Sequence, residues 1–152
     1  MTEYTRSSIT IDATPGEIMD TIADFASYPE WAGEVTATEI MEPGHGGRPA
    51  RVRLIIDGGA IRDDQTHIYR WDGDHAVYWS LASSRLLRSL EGSYLLEPRH
   101  TGGTAVTYQL RLDAKVPMLG VFKREVEKVV IDRALFSLKR HIETHRSGHY
   151  PR

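Results

Sequence analysis

Hydrophobic and polar positions change their spacing along the chain, and each change predicts a different element. The first run, Tyr4 to Asp12, reads as a strand, and the segment Thr14–Glu17 then has the cap, the first-turn proline and the glutamate of a helix start. Apolar residues at helical spacing follow. This helix is expected to end near Ser27, because the residue before Pro29 disfavours the helical conformation. A second short helix is expected at Trp31.

From Val35 onward, turn sequences recur between short runs in which every second residue is apolar. The turns are Pro43–Gly47, Asp57–Gly59, Asp72–Asp74, Pro98 and Gly102–Gly103. The alternation is clearest in Val52/Leu54/Ile56, in Leu90/Gly92/Tyr94/Leu96 and in Val106/Tyr108/Leu110/Leu112. This pattern predicts a series of antiparallel hairpins.

The last predicted element is a helix from about Leu119 to Arg146, which contains no proline and no glycine after Gly120. Pro117 is expected to set its start. The helix has a stripe of apolar residues made of Leu119, Phe122, Val126, Val129 and Val130, which Ile131, Leu135, Leu138 and Ile142 continue at a displaced angle. The displacement predicts a helix that a curved sheet wraps around.

These elements predict an α+β helix-grip fold, in which a curved antiparallel sheet of about seven strands wraps around the long C-terminal helix. Two short helices follow strand 1. A chain of 152 residues has material for one good core, so residues 1–146 are expected to form a single domain and residues 147–152 a flexible tail. A cavity is expected between sheet and helix.

The segment Asp24–Trp31, with the sequence Asp-Phe-Ala-Ser-Tyr-Pro-Glu-Trp, resembles the signature of the START/Bet v 1-like (SRPBCC) superfamily. The resemblance extends from Ser8–Ile11 through the turn Thr101–Thr104 to Leu135–Lys139. This superfamily includes polyketide cyclase/dehydrases and lipid-transport proteins. The resemblance implies a hydrophobic cavity and a structural role for Trp31 beneath the first helices.

One predicted strand, from Ile61 to Trp71, has an unusual face with hydrogen-bonding side chains at one end and aromatic side chains at the other. The residues on this face are Ile61, Asp63, Gln65, His67, Tyr69 and Trp71. A pocket for an apolar molecule with a few polar groups needs such a face, so this face is expected to point inward. The alternative is a twisted sheet edge where Asp63 and Gln65 meet solvent, since a bulge would exchange the two faces.

Further ligand contacts are expected on neighbouring strands and on the long helix. Trp79 is placed inward by its alternation with Val77 and Leu81, although it is expected to be mainly scaffold. Tyrosines on strands are also common core residues. The expected ligand-binding residues are Gln65, His67, Tyr69, Trp71, Trp79, Tyr94, Tyr108, Phe122, Val126 and Val130.

His67 and Arg133 are the two candidates for catalysis. Imidazole titrates near neutral pH, but no Ser-His-Asp or Cys-His grouping accompanies His67, so the favoured interpretation is a polar wall residue or ligand contact. Arg133 would bind a carboxylate or enolate oxygen if it faced the apolar stripe. The favoured alternative has its stem over the core and its head group in solvent. No catalytic residue is assigned.

Two other patterns on the long helix are interpreted as structural. His141, His145 and His149 are four residues apart, which suits a metal pair, but no glutamate completes an H-E-x-x-H motif and helix C-termini favour histidine. No metal and no cofactor is predicted. Lys123 and Glu127 have the spacing of an exposed ion pair.

Composition excludes several classes of function. The formal net charge of −2 provides no basic surface for a phosphate backbone, so no nucleic-acid partner is predicted. The chain has no cysteine, which excludes disulfides and thiolate chemistry. No signal-peptide pattern or membrane-length apolar run is present, so a cytoplasmic monomer or homodimer without a membrane span is expected.

The expected function is binding of a small, mostly apolar molecule, whether aromatic, polyketide, isoprenoid or lipid-like, in an internal cavity. The alternative is a polyketide aromatase/cyclase or dehydratase that uses the same cavity, with His67, a tyrosine and Arg133 handling protons and oxyanions. A third possibility is an adaptor for another protein. The adaptor predicts a filled interior and an exposed apolar patch.

Overall fold

Seven antiparallel strands and a long C-terminal helix make up most of the computed structural model, which describes residues 3–59 and 61–148. The strands are β1 (Thr5–Ile11), β2 (Val35–Glu42), β3 (Arg51–Asp57), β4 (Arg62–Asp72), β5 (Ala76–Ser83), β6 (Leu87–Pro98) and β7 (Thr104–Ala114). The helices are α1 (Pro15–Ala23), α2 (Tyr28–Trp31) and α3 (Gly120–Gly148), with a 3₁₀ turn at Phe25–Ser27. The strand order is β1-β7-β6-β5-β4-β3-β2, which confirms the predicted helix-grip fold.

The chain enters α1 through the capping box that the sequence predicts. The backbone N–H of Glu17 donates to Thr14 Oγ1 at 3.2 Å, and the backbone N–H of Thr14 donates to Glu17 Oε1 at 2.9 Å. Pro15 fills the first turn, where no N–H donor is needed. The buried side of α1 consists of Ile18, Met19, Ile22 and Ala23. These residues hold α1 against β6 and α3.

The face of α3 that packs on the sheet is the second of the two predicted apolar stripes. It consists of Ile131, Leu135, Leu138 and Ile142, all of them buried. Their spacing places them on one side of the helix, against β1 and β7. The first stripe lies largely in solvent: Phe122 exposes 59% of its surface and Val130 39%.

Glu127 continues the buried face of α3, so the prediction of an exposed pair with Lys123 was wrong. Its carboxylate accepts hydrogen bonds from Thr5 Oγ1 at 2.6 Å and from the backbone N–H of Leu112 at 2.8 Å. The β1–β7 ladder ends where Thr5 faces Leu110, so Leu112 lies beyond it. Glu127 supplies the acceptor that β1 no longer provides. Lys123 Nζ instead lies 3.7 Å from Asp113 Oδ1.

The C-terminal end of α3 reaches Gly148, so it includes the first residues of the segment predicted as a tail. The remainder of that segment, residues 149–152, lies outside the described ranges. Within those ranges, no helix combines the length and the apolar character that crossing a membrane requires.

Candidate functional site

The inner face of β4 carries the polar end of the candidate site. Asp63, Gln65 and His67 are buried, whereas Ile68 on the other face is exposed. The only register shift between β4 and β5 adds Ala82 to β5, so the alternation along β4 is intact. The polar residues of β4 therefore point inward and do not meet solvent at a twisted edge. Ile61, which precedes the strand, is exposed.

A chain of hydrogen bonds joins four side chains along this face. Gln65 Nε2 donates to Asp63 Oδ2 at 2.9 Å, and Gln65 Oε1 lies 2.9 Å from His67 Nε2. The Tyr69 hydroxyl lies 3.3 Å from His67 Nδ1. A carboxylate can only accept hydrogen bonds, so the amide nitrogen of Gln65 is the atom that faces Asp63. The amide oxygen of Gln65 then faces His67, and because this oxygen can only accept, His67 Nε2 carries the proton. Nδ1 of His67 is the acceptor that remains.

The carboxylate of Asp63 is the fixed end of this chain. Besides Gln65, it accepts from Ser84 Oγ at 2.6 Å and from the backbone N–H groups of Asp64 and Arg85, both at 2.8 Å. Burial would raise the pKa of Asp63, but these hydrogen bonds outweigh burial and lower that pKa. Asp63 is therefore ionised at neutral pH and ties β4 to the loop between β5 and β6.

His67 is neutral in this environment. Burial lowers the pKa of His67 to about 4, and the charge of Asp63 opposes the shift only in part. The imidazole thus has its one proton committed to Gln65 and one lone pair facing Tyr69 at a distance longer than a strong hydrogen bond. This arrangement suits acceptance of a hydrogen bond from a ligand better than proton transfer at neutral pH.

Aromatic side chains extend the inner face from β4 to β7. The ring centroid of Trp79 lies 5.8 Å from that of Tyr69, 5.4 Å from Tyr94 and 5.5 Å from Tyr108. Gly92 faces Trp79 across β5 and β6, and a Cβ at position 92 would come within 2.5 Å of the indole ring. The missing side chain therefore makes the space in which Trp79 lies.

Two tyrosine hydroxyls on this wall lack partners. Tyr94 and Tyr108 expose only 8% and 6% of their surface, yet neither hydroxyl has a hydrogen-bond partner among the described residues. Among the described residues, Trp31 Nε1 is the one side-chain polar atom that is both fully enclosed and unpartnered. The Tyr94 and Tyr108 hydroxyls are unpartnered but are not in that class, so they are not fully enclosed and still reach open space. Burial raises the pKa of both phenols, so both remain protonated.

Trp71 lies at the other end of β4, away from the polar residues. Its Nε1 donates to the carbonyl of Pro49 at 2.7 Å, and the guanidinium of Arg48 lies 5.4 Å from its ring centroid. Both residues border a shallow, open depression of about 280 Å³, together with His45, Gly46, Gly73 and Asp74. Arg48 is also paired with Asp20 and Asp74, at 2.9 and 3.0 Å.

The three α3 residues that were predicted to contact a ligand lie in the N-terminal half of the helix. Val126 is half-buried against the core, while Phe122 and Val130 are exposed. Arg133 lies at the surface, where its Nη1 donates to Glu34 Oε2 at 2.8 Å, just before β2. The structure therefore does not place the Arg133 guanidinium beside His67. In residues 3–59 and 61–145, no arginine or lysine is buried.

Exposed apolar side chains surround the end of the sheet where β4 begins and β7 ends. They are Ile61, Leu86, Val116, Leu119, Val121 and Phe122. The sequence pattern did not predict this group of exposed apolar residues.

The sequence pattern also did not predict the hydrogen bonds from Ser84 and Arg85 to Asp63. The burial of Glu127 could have been predicted, because Glu127 lies four residues before Ile131 and therefore on the same side of the helix as the buried stripe.

The histidines at the end of α3 have structural roles. The ring of His141 stacks on Trp31 at 5.0 Å between centroids and 9° between planes. The carbonyl of His141 accepts a hydrogen bond from His145 Nδ1 at 2.9 Å. No three metal-binding side chains converge in residues 3–59 and 61–148, and His149 lies outside those ranges.

A curved sheet around a terminal helix, with a polar strand face inside, defines the helix-grip class. Residues 2–143 match the profile of the family described as Polyketide cyclase / dehydrase and lipid transport, and the chain belongs to this family. No curated protein matches the chain in sequence.

Solved structures share the fold at low sequence identity. A START superfamily protein from Mycobacterium smegmatis has a TM-score of 0.87 at 17% identity, over 94% of this chain and 99% of the other. The protein TTHA0849 from Thermus thermophilus has 0.75 at 17% identity, over 93% and 98%. The ZhuI aromatase/cyclase from Streptomyces sp. R1128 has 0.71 at 14% identity, over 91% and 94%.

Proposed function

We propose that the protein binds a small, mostly apolar molecule between α3 and the inner face of β4 to β6. The observation that carries the proposal is the hydrogen-bond chain on β4. Asp63 and Gln65 fix the tautomer of His67 so that Nδ1, an acceptor, faces the interior beside the aromatic wall. One oriented polar group within an apolar wall is the usual composition of a small-molecule site.

The packing of α3 supports an open interior. The helix lies on β1 and β7, at one side of the sheet, while Phe25 packs on Val52 and Leu54 of β3 at the other side. Between these contacts, Leu81 on the inner face of β5 remains half-exposed. Val126 of α3 is also only partly buried against this core, and Phe122 and Val130 on the same helix are exposed.

The family description also covers cyclases and dehydratases, so a polyketide aromatase/cyclase or dehydratase is the alternative. His67 and Arg133 were its candidate catalytic groups. A histidine with a pKa of about 4 is a weak base and carries no proton to donate from Nδ1 at neutral pH. Arg133 is engaged with Glu34 at the surface. These features favour binding over catalysis.

The test compares naphthalene with 2-naphthol as competitors of the neutral dye N-phenyl-1-naphthylamine. We expect both to displace the dye and 2-naphthol to bind more tightly, because its hydroxyl can donate to His67 Nδ1. In His67→Phe the affinity for 2-naphthol should fall by about 0.5–1.5 kcal/mol, the net value of a neutral hydrogen bond, with little change for naphthalene. Ile68→Phe, on the outer face of β4, is the matched control.

Three results would contradict the proposal. Failure of both compounds to displace the dye would remove the binding site itself. Equal losses for naphthalene and 2-naphthol in His67→Phe would remove the role of His67 as a polar contact. Turnover of a poly-β-ketone mimic that falls about a hundredfold in His67→Phe would establish the cyclase alternative, since that loss is typical of a missing acid or base.

A further inference from the structure

We infer that the ligand of this interior carries a carbonyl oxygen and no carboxylate, and that Tyr94 and Tyr108 donate hydrogen bonds to that oxygen. This inference rests on the proposed function, because it concerns a ligand held against the same aromatic wall. It adds a second polar contact, on β6 and β7, to the one that His67 provides on β4.

Tyr94 and Tyr108 are placed to act together. They are directly opposite each other in the β6–β7 ladder, and their ring centroids are 4.7 Å apart. Opposite residues in a ladder project from the same face, so both phenols extend toward the interior. Neither hydroxyl has a partner among the described residues, although each side chain is more than nine-tenths buried. Two hydroxyl donors without a protein partner among the described residues therefore lie on one wall.

The chemistry of these hydroxyls calls for an acceptor. A phenol hydroxyl has one proton to donate, and a carbonyl oxygen has two lone pairs, so two phenols can donate to the same carbonyl. Tyr69, the third tyrosine near Trp79, is different because its hydroxyl already has an acceptor within reach, the bare Nδ1 of His67 at 3.3 Å, and keeps that long contact unless a ligand hydroxyl takes its place. Tyr94 and Tyr108 are thus the free donors of the wall.

The charges of the interior argue against a carboxylate ligand. The buried acidic side chains of the described residues are Asp63 and Glu127, and both are already bound by protein donors. No lysine or arginine in residues 3–59 and 61–145 is buried. A carboxylate brought into this space would lose its hydration without gaining a cation. A neutral carbonyl compound loses much less hydration and gains the two phenol donors.

The aromatic wall restricts the shape of the ligand. Trp79, Tyr94 and Tyr108 form a cluster with all centroid distances between 4.7 and 5.5 Å. Aromatic faces and edges pack well on flat rings. An aromatic or conjugated ketone therefore fits the wall better than a flexible aliphatic one.

The test uses three probes of similar size: 2-acetylnaphthalene, 2-ethylnaphthalene and 2-naphthoate. Dissociation constants are measured on the full chain by displacement of N-phenyl-1-naphthylamine at neutral pH. We expect the ketone to bind about 3- to 10-fold more tightly than the ethyl compound, as one net neutral hydrogen bond allows. The carboxylate should bind at least about tenfold more weakly than the ketone, because an unpaired buried charge is costly.

The variant that isolates the contact is Tyr94→Phe combined with Tyr108→Phe. It should lower the affinity for 2-acetylnaphthalene to that for 2-ethylnaphthalene and leave the latter unchanged, which also shows that the interior is intact. Tyr78→Phe is the matched control, since Tyr78 lies on the outer face of β5 beneath the guanidinium of Arg70, 4.3 Å away. The control should keep the full preference for the ketone.

The outcomes separate this inference from the proposal on which it rests. If 2-ethylnaphthalene binds but the parent shows no preference for the ketone, or the double variant keeps that preference, the tyrosine contact is wrong while the binding site stands. If 2-naphthoate binds as tightly as the ketone, the exclusion of carboxylates is wrong. If none of the three probes displaces the dye, both the inference and the proposed function fail.

Discussion

The neighbours of His67 determine both the pKa and the tautomer of its imidazole. Asp63 orients Gln65, and Gln65 in turn holds the single proton of His67 on Nε2. Asp63 only accepts, Gln65 donates to Asp63 and accepts from His67, and the remaining lone pair of His67 faces the Tyr69 hydroxyl, so this assignment satisfies every contact. The strand thereby fixes both the charge and the tautomer of a residue that is often ambiguous in proteins.

The low pKa of His67 predicts a pH-dependent stability. An unfolded histidine titrates near about 6.5, whereas the pKa in the folded protein is about 4. Between these values the unfolded chain binds a proton that the folded chain does not, so the free energy of unfolding falls as the pH is lowered from 6.5 to 4. At pH values below both pKa values the loss is complete, and it amounts to about 3 kcal/mol.

Urea denaturation at about pH 7 and 4.5 measures this loss, and His67→Gln removes the titrating group. We expect the variant to lose about 2 kcal/mol less than the parent between the two pH values. His141, whose pKa burial and the charge of His145 also lower, is present in both proteins, so its contribution cancels. Identical pH profiles would mean that His67 is solvated.

Asp63 predicts a large effect of a single carboxylate on stability. Asp63→Ala leaves Gln65, Ser84 and two backbone N–H groups without their acceptor, and hydrogen bonds to charged groups contribute about 1.5–3 kcal/mol each. We expect a total loss of about 3 kcal/mol in the free energy of unfolding, because water reaches some of the freed groups. Denaturant titration measures it.

The neighbouring carboxylate is the control for Asp63. Asp64 points to the outer face and pairs with Arg53 at 2.6 Å in a solvent-exposed position. Solvent screens exposed ion pairs strongly, so Asp64→Ala should change stability little. Similar losses for the two variants would show that Asp63 is not the anchor of the chain.

At the scale of elements, Glu127 holds α3 in register with the sheet. Glu127→Ala removes the acceptor of Thr5 Oγ1 and of the Leu112 N–H, and we expect the free energy of unfolding to fall by about 3 kcal/mol. Glu127→Gln should lose less, since its amide can donate to Thr5 Oγ1 while its oxygen accepts from Leu112. Glu125→Ala, at an exposed position on the same helix, should stay within about 0.5 kcal/mol of the parent. Equal effects at positions 125 and 127 would contradict the contact.

Trp31 joins α2 to α3 through its stack on His141, and it is only half-buried. Trp31→Ala should therefore destabilise the protein by about 2 kcal/mol, less than the range of about 3–5 kcal/mol for a fully buried indole. Trp31→Phe should be nearly neutral, because it also removes the enclosed, unpartnered Nε1. Thermal melting distinguishes the two variants. A loss of dye binding at an unchanged melting temperature would instead make Trp31 a ligand contact.

Considered as a whole, the molecule should unfold in one step. The three tryptophans lie on α2, β4 and β5, and Trp31 and Trp79 share one hydrophobic core with α1, α3 and β7. Tyr69 and Trp71 join this core to the second cluster of Phe25, Val52 and Leu54, so a cooperative two-state transition is expected. We expect urea curves from tryptophan fluorescence and from far-UV circular dichroism to coincide. Separate midpoints would contradict the prediction of one domain.

The fold could be predicted from the sequence because its signals are local. The capping box at Thr14 to Glu17 and the alternation on β3, β6 and β7 each arise within one element. The face of α3 that packs on the sheet was harder to predict, because the helix has two apolar stripes. The contact that selects between them is the hydrogen bond from the Leu112 N–H to Glu127, which joins distant parts of the chain.

The site was predictable only in part, for a similar reason. Alternation alone places Gln65, His67 and Tyr69 on one face, but the direction of their hydrogen bonds depends on Asp63 being fixed by Ser84 and Arg85. Those two residues come from a later loop, and no spacing in the sequence relates them to β4. Contacts between distant segments depend on side-chain rotamers that a pattern of residue types does not encode.

The order of the strands also determines when the interior can exist. β1 is synthesised before the other strands, but its neighbour in the sheet is β7. Ser7 of β1, for example, pairs with Tyr108 of β7, so this pairing cannot form until β7 has been synthesised. The helix α3, which packs on β1 and β7, follows β7 in the sequence. During synthesis the inner face of the sheet therefore stays uncovered until β7 and α3 have been made, and contacts of such long sequence separation form slowly. A small molecule held between the sheet and α3, as we propose, can therefore be enclosed only after both β7 and α3 have been made.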